Sequence, residues 1–332
     1  MEDLVPSTPT SPARPTRGFA TLNRAYASVF RPRALSLGLV VPIEAYPHGP
    51  VPSLERHLER VALAEALGFS AVWLRDVPFE VPSFGDAGQT FDPFVYLGAL
   101  ATRTKRIALG VASLVLPLRH PVHVAKAAAS VDVLSGGRLL LGIASGDRPE
   151  EYPALRERHA ERGARFRESV AMIRALAAER PRFANGAGTL SGELDLLPKP
   201  TAGRLPLLVT GGSQQDPRWI AENGDGWMTY PREPALQGRV VAGYRQRLAA
   251  AGQPDRPVMQ SLYVDLSPDP DAPPTPIHLG FRSGLHFLRE HLHALRARGI
   301  NHVALNLRFQ RAMPVEAALE RLSRGLLPEP HA

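Results

Sequence analysis

Residues 116–146 read LPLRHPVHVAKAAASVDVLSGGRLLLGIASG, and this stretch carries more information about the fold than any other. Its middle predicts a helix over Val122–Leu134, whose alanines share one face and allow close packing against a sheet. Pro121 suits the first turn of that helix. Gly136 and the glycine after it end the helix and turn the chain sharply into a strand predicted over Arg138–Ala144. The stretch is therefore interpreted as a helix followed by a buried strand of a parallel sheet.

The same alternation continues on both sides of this stretch. Apolar runs of strand length lie at Leu35–Val41, Ser70–Leu74, Ile107–Leu116, Arg138–Ala144, Leu205–Val209, Gly226–Thr229, Val258–Leu266 and His302–Leu307. Helices are predicted at Pro52–Leu67, from Pro93 behind an Asp92 cap, and at Val122–Leu134, Glu161–Ala178, Pro217–Asn223, Pro234–Ala251, Leu285–Arg298 and Val315–Leu326. Eight strand–helix pairs favour a closed (β/α)8 TIM barrel, an α/β fold with the helices outside, over an open doubly wound sheet.

Three segments are longer than a minimal connection and rich in turn residues: Val77–Thr90, Arg182–Pro200 and Ser267–Leu279. We expect each to be a loop or a small hairpin. Loops that follow strands lie at the carboxyl-terminal face of a TIM barrel, which is where enzymes of this fold have their active sites.

The size of the chain suits one such barrel. It has 332 residues, 44% of them hydrophobic, and a single barrel needs ~250 residues. Residues 1–33 are rich in Pro, Ser, Thr and Arg and have no hydrophobic period. We expect a flexible N-terminal extension over 1–33, with a short ordered part around Phe19–Phe30, and a single barrel domain over 34–330.

Composition disfavours several classes of protein. The chain has no cysteine, which rules out disulfides and thiolate metal sites. The net charge of +7 comes almost entirely from scattered arginines, so we expect no nucleic-acid partner. No apolar run reaches the ~18 residues of a membrane span, and the histidines show no metal-ligand spacing. A cytoplasmic protein without membrane or metal is the expectation.

The stretch quoted first resembles the bacterial-luciferase-like family of flavin-dependent oxidoreductases. Members have a similar run of "LP", "HP", an Ala-rich helix, "D-x-LSGGR" and a strand that ends in a small-residue turn. Further matches are AEALGFSAVWLRD at 64–76, LLPKP at 196–200, and VTGGS with AENGDGW within 209–227. The resemblance implies a luciferase-like barrel, a flavin-type cofactor at the carboxyl ends of the strands, and a homo-oligomer, specifically a dimer.

The resemblance also points to the strand ends that bind the cofactor. Related proteins often have a non-proline cis peptide at the end of the third strand, here Ala112–Ser113, and phosphate contacts after the fifth. Small residues at the end of the fourth strand allow a flat ring to approach the backbone, and a Gly-Gly-Ser turn frees N–H groups for a phosphate. The predicted cofactor-binding residues are Ala112, Ser113, Ala144, Ser145, Gly146, Thr210, Gly211, Gly212 and Ser213.

The acid/base group is less evident. Many related proteins have a histidine directly after an acidic residue at the end of the second strand, whereas this chain has Val77 after Asp76. Two catalytic candidates follow. Asp76 is expected either to orient substrate or cofactor or to form a rim ion pair with Arg75, and His48 lies in a loop on the functional face.

The predicted function is that of an FMN-dependent monooxygenase, a flavoprotein that acts on a small organic substrate with reduced flavin and oxygen. No nucleotide-binding fingerprint is present, so a separate flavin reductase is the expected source of reduced FMN. One alternative is an oxidoreductase that transfers hydride with a deazaflavin coenzyme. A second alternative is a non-catalytic flavin-binding protein, which the missing histidine permits.

Overall fold

A computed structural model of the protein describes residues 19–327; residues 1–18 of the expected extension and 328–330 of the expected domain lie outside this range. The strands are β1 Ser36–Val40, β2 Ala71–Leu74, β3 Ala108–Val115, β4 Leu139–Ala144, β5 Arg182–Asn185, β6 Gly188–Ser191, β7 Leu207–Thr210, β8 Gly226–Thr229, β9 Val258–Leu266, β10 Thr275–Ile277, β11 Gly280–Ser283 and β12 His302–Asn306. The helices are α1 Arg24–Val29, α2 His57–Ala66, α3 Pro93–Arg103, α4 Pro121–Leu134, α5 Glu151–Ala154, α6 Arg162–Ala175, α7 Pro217–Asn223, α8 Pro234–Ala250, α9 Leu285–Ala297 and α10 Val315–Leu326.

Eight parallel strands close into a barrel. Their order is β1, β2, β3, β4, β7, β8, β9 and β12, and β12 pairs with β1 to complete the ring. Helices lie between consecutive barrel strands, so the predicted luciferase-like TIM barrel is confirmed. Its strands are buried almost continuously, as a parallel sheet covered by helices requires.

The stretch that predicted the fold forms the expected unit. Pro121 is the first residue of α4, and the ring of His120 accepts a hydrogen bond from the backbone N–H of Val122. Gly136 and Gly137 have φ values of +66° and +79°, a left-handed conformation that glycine adopts without a steric penalty. The chain can therefore leave α4 and enter β4 in a tight turn.

The helix predicted over Pro52–Leu67 starts later than expected, at His57. Leu54 has φ +59°, which interrupts a right-handed helix. The carboxylate of Glu44 accepts hydrogen bonds from the backbone N–H groups of Ser53 and Leu54 and thereby holds both residues outside α2.

The three long segments contain the expected loops and hairpins. β5 and β6 form an antiparallel hairpin within Arg182–Pro200. β10 pairs antiparallel with β11, and β11 pairs in parallel with β9. The segment Val77–Thr90 is a loop with one short 3-10 turn, Pro82–Phe84. It is fixed to the barrel through Asp86, which accepts hydrogen bonds from Arg75 and Tyr46.

Helix α1 covers the amino-terminal end of the barrel. Tyr26 and Phe30 are buried in the cluster that fills this end, and the Tyr26 hydroxyl donates to the carbonyl oxygen of Asp225 at 2.6 Å. Asn23 caps α1 and donates to the carbonyl oxygen of Leu139 at 2.8 Å. Helix α1 lies within the short ordered part expected around Phe19–Phe30, and its buried residues contribute to the barrel core.

The barrel interior is filled beneath the site by Trp73, which is fully buried. Its indole N–H donates to Nε2 of His302 at 2.8 Å. Two glycines make room for this pair: a Cβ on Gly110 would be 2.2 Å from the Trp73 ring, and one on Gly38 would be 2.7 Å from His302 Nε2. The Trp73–His302 pair thus fills the barrel interior below the open, carboxyl-terminal end.

Candidate functional site

A cavity of about 500 Å³ opens at the carboxyl ends of the barrel strands. The nine predicted cofactor-binding residues all line it: Ala112, Ser113, Ala144, Ser145, Gly146, Thr210, Gly211, Gly212 and Ser213. Its deeper wall is apolar and comprises Val40, Met228, Met259 and Ala304. The barrel therefore brings residues from distant parts of the chain into one pocket with an apolar section in its wall.

The end of β3 has an irregular backbone. The Ala112–Ser113 peptide bond is cis, as the resemblance implied. The register between β3 and β4 shifts between Val111 and Leu114, so the two residues between them form a bulge at the cavity. The hydroxyl of Ser113 is hydrogen-bonded to that of Thr210, which ties the end of β3 to the end of β7.

The turn after β4 needs a residue without a side chain. Gly146 has φ +78°, and a Cβ there would lie 2.7 Å from both the Tyr152 hydroxyl and the Val115 side chain. The Tyr152 hydroxyl donates to the carbonyl oxygen of Ser145 and so fixes the turn. Because no side chain fits at Gly146, backbone atoms line the cavity at the end of β4, and a planar group could lie against them.

The turn after β7 leaves several backbone N–H groups without an acceptor in the described part of the chain. Gly211, Ser213 and Gln214 have φ values of +53°, +42° and +58°. The N–H of Gly211 donates to Met228, and that of Gln215 donates to Gly212. Between them, the N–H groups of Gly212, Ser213 and Gln214 have no acceptor within residues 19–327. Consecutive free N–H groups in such a turn are a typical phosphate site.

Asp76 is held in place by an arginine, but not by the one expected. Its carboxylate accepts hydrogen bonds from Arg119 at 2.7 and 3.1 Å and from the backbone N–H of Val115 at 3.0 Å. Arg75 instead pairs with Asp86 at 2.9 Å. The expected Arg75–Asp76 ion pair is therefore wrong, because the side chain of Arg75 points to the loop that follows β2.

His48 is exposed and is not among the residues that line the cavity. Its loop lies on the functional face, as expected. A direct part in chemistry inside the cavity would need this loop to move, and His48 is not used in the proposals below.

Two further charged residues of the cavity are not among the predicted site residues. Arg148 and Glu151 both line it, with side chains 11% and 2% exposed. Burial raises the pKa of Glu151 to about 7, the charges of Asp76 and Asp147 add to this rise, and Arg148 opposes it. The sequence signal was the run Asp147 to Glu151 directly after a barrel strand, but its charged residues also suited an exposed rim.

The whole cavity fits a flavin-type cofactor. The apolar wall and the small-residue strand ends suit a planar ring, and the β7 turn offers its free N–H groups to a phosphate. Within residues 19–327 no cluster of three or more His, Asp or Glu side chains has the arrangement of a metal site. In the same range, no helix has the length and apolar character needed to cross a lipid bilayer.

The sequence model of one family, described as luciferase-like monooxygenase, matches residues 35–313, nearly the whole barrel. The chain belongs to this family. The luciferase-like protein is 32% identical over 225 residues to an uncharacterised protein of Mycobacterium tuberculosis, a match that covers 63% of this chain and 78% of that one. It is 33% identical over 178 residues to an F420-dependent glucose-6-phosphate dehydrogenase of Beutenbergia cavernae, which covers 52% of this chain and 51% of that one.

Among solved structures, the luciferase-like protein is similar to the monooxygenase RslO1 from Streptomyces bottropensis. The TM-score is 0.71 at 21% identity, over 88% of this chain and 99% of that one. This likeness supports the fold. Together with the family match, it makes the protein a luciferase-like oxidoreductase.

Proposed function

We propose that this luciferase-like oxidoreductase transfers hydride between the deazaflavin coenzyme F420 and a small organic substrate. The observation that carries the proposal is the cavity itself. It combines an apolar wall with the β7 turn, whose three N–H groups have no acceptor within residues 19–327. FMN and F420 share a planar tricyclic ring and a phosphate, so this geometry suits both. The F420-dependent glucose-6-phosphate dehydrogenase of Beutenbergia cavernae is a relative with a named activity, and for this reason we rank the deazaflavin reaction first.

Different residues of the chain would bind the phosphate and the ring of the cofactor. The N–H groups of Gly212, Ser213 and Gln214 would donate to the phosphate, and the cis peptide at Ala112 and the turn at Gly146 would flank the ring. When bound, F420 supplies a hydride acceptor or donor at its ring. The chain's own part is to orient the substrate beside that ring, to exclude water and to move the accompanying proton.

FMN-dependent monooxygenation is the second candidate, because the matched family is described as luciferase-like monooxygenase. It requires reduced FMN, which a separate reductase would supply, and oxygen. Under this alternative the same cavity would shield the reacting flavin from water. A protein that binds FMN without turnover is the third possibility.

Titration of the purified protein with F420 and with FMN, followed by fluorescence, tests the ranking. We expect F420 to bind with a Kd in the micromolar range or lower, and FMN to bind at least tenfold more weakly. Submicromolar binding of FMN without binding of F420 would overturn the deazaflavin proposal. In that case, substrate-stimulated oxidation of reduced FMN in air would identify a monooxygenase, and its absence across a panel of substrates would favour a flavin-binding protein.

A further inference from the structure

Two buried polar atoms face each other at the cavity without a hydrogen bond. Nη1 of Arg148 lies 3.8 Å from Oε1 of Glu151, which is too long for a direct bond. Neither atom has another partner within the described part of the chain. Buried polar groups are nearly always hydrogen-bonded, so an unpaired donor and acceptor on two residues that line a ligand cavity mark a place where a ligand atom can complete the pair.

The loop between β2 and α3 holds Arg148 in this position. Its guanidinium lies 4.5 Å above the ring of Phe84 and donates to the carbonyl oxygen of Asp86 at 3.4 Å. Arg148 is thus fixed on two sides, and its Nη1 is left for the cavity. Arginine donors preorganised in this way bind a partially negative oxygen at little entropic cost.

The charged groups around Glu151 come from two parts of the barrel. Asp147 and Arg148 precede it in the same loop, and Asp76 at the end of β2 faces it with its own charge neutralised by Arg119. Arg148 is therefore the cation nearest to the carboxyl. Glu151 can hold a proton near neutral pH because burial, and not a like-charged partner, is the main cause of its raised pKa.

We propose that Arg148 and Glu151 bind the oxygen of a carbonyl or alcohol substrate, and that Glu151 carries the proton of the reaction. This inference rests on the proposed hydride transfer. In the reducing direction, the hydride supplies both electrons to the carbonyl carbon and the π bond of the carbonyl breaks. The freed electron pair on oxygen takes the proton of Glu151, and Arg148 stabilises the oxygen as its charge develops. The carboxylate left behind regains a proton from solvent, which balances the one that reduced F420 releases on oxidation.

Glu151 would thus replace the histidine that related proteins have at position 77. An amide in its place keeps the shape but cannot exchange a proton, so E151Q isolates the chemistry. The adjacent and exposed Glu150 provides a matched control, E150Q, which removes the same charge from the same short segment. R148Q tests the pairing, because loss of the cation raises the pKa of Glu151 further.

The experiment measures F420 binding by fluorescence from pH 5.5 to 8.5 for the full-length protein and the three variants, with circular dichroism as a check on folding. Ionised Glu151 repels the anionic cofactor, so the wild-type Kd should rise at least threefold across a transition near neutral pH. E150Q should behave like the wild type, E151Q should lose the transition, and R148Q should move it to higher pH. Infrared difference spectra should show a protonated carboxyl at pH 6 that E151Q lacks.

If E151Q keeps the wild-type pH dependence and the carboxyl band, the inference is wrong while the proposed function stands. If neither the wild type nor any variant binds F420, the proposed function fails and the inference fails with it. A ketone that the wild type and E151Q reduce with F420H2 at equal rates would also overturn the inference, because a general acid contributes on the order of a hundredfold or more to the rate.

Discussion

The carboxylate of Asp76 and the guanidinium of Arg119 form a two-pronged ion pair at the edge of the cavity, with N–O distances of 2.7 and 3.1 Å. The side chain of Asp76 is 1% exposed and that of Arg119 is 26% exposed. A third hydrogen bond, from the N–H of Val115, attaches the end of β2 to the end of β3. Asp76 therefore positions the strand ends around the cofactor cavity, and its oxygens are already occupied.

Asp76→Asn should destabilise the protein by about 1–3 kcal/mol, since it removes the buried partner of Arg119 and leaves only the more exposed carboxylate of Asp92 to balance that charge. Urea unfolding followed by circular dichroism measures the change. Glu80→Gln, an exposed site in the adjacent loop, should stay within about 0.5 kcal/mol of the wild type. A stable D76N protein that has lost only activity would instead indicate that Asp76 acts directly in the chemistry.

Replacement of the buried imidazole of His302 should change how the free energy of unfolding depends on pH. Burial lowers the pKa of His302 to about 3, since the imidazole is fully enclosed and a proton on it would not be solvated. The pKa of a histidine in the unfolded chain is ~6.5. Because the pKa of His302 is lower in the folded protein, its contribution to stability is fully present above this pH and is lost as the pH falls below it. At pH 5.5 the wild type should have lost ~1.4 kcal/mol that His302→Gln does not lose.

Urea midpoints at pH 8, 6.5 and 5.5 measure this difference in slope. His293→Gln, on the exposed face of α9, serves as the control and should keep the wild-type slope. Equal slopes for the wild type and H302Q would show that His302 becomes protonated without unfolding the barrel.

The β7 turn should tolerate a methyl group in the free protein but not in the cofactor complex. A Cβ on Gly212 meets no protein atom within 4 Å, although the residue lines the cavity. Gly212→Ala should therefore leave stability nearly unchanged and weaken cofactor binding on the order of tenfold, or ~1.4 kcal/mol. Gly49→Ala, at another open glycine outside the cavity lining, should bind F420 and FMN like the wild type. Unchanged binding by G212A would argue against a phosphate at this turn.

The floor of the barrel should not accept even one extra methyl group. A Cβ on Gly110 would lie 2.2 Å from the ring of fully buried Trp73, which cannot move without displacing His302. Gly110→Ala should cost about 2–3 kcal/mol of unfolding free energy, through overpacking. Gly98→Ala, in α3, has open space around its Cβ and should be neutral or stabilise by up to ~1 kcal/mol. Thermal melts of the two variants make the comparison.

Much of the fold could be predicted because its signals are local. The bounds of α7, β8, β9 and α10 agree with those expected from the sequence, and Asp92 caps α3 as predicted. Each of these elements has its own hydrophobic period and its own cap or breaker residue. The start of α2 could not be predicted, since it depends on the carboxylate of Glu44, which precedes the helix by more than ten residues.

The same division holds for the site. The small-residue strand ends and the Gly-Gly-Ser turn could be singled out because the family resemblance pointed to them and because small residues there allow close approach to the backbone. The partners of Asp76, by contrast, depend on which side chain the barrel brings beside it, and Arg119 lies 43 residues further along the chain. Arg148 and Glu151 were difficult to single out because charged residues after a strand are as typical of an exposed rim as of a cavity.

The sequence by itself determined that this chain forms a (β/α)8 barrel and that its third, fourth and fifth predicted strands end in residues suited to a flavin-type cofactor. Periodicity, proline, glycine and capping residues act over a few positions, so a single strand–helix unit already contains that information. The tertiary structure alone decided which charges are paired and which are left buried without a partner. Closure of the barrel removes water from Glu151 and sets Arg148 beside it, and loss of water is a property of the assembled cavity that no short stretch of sequence can specify.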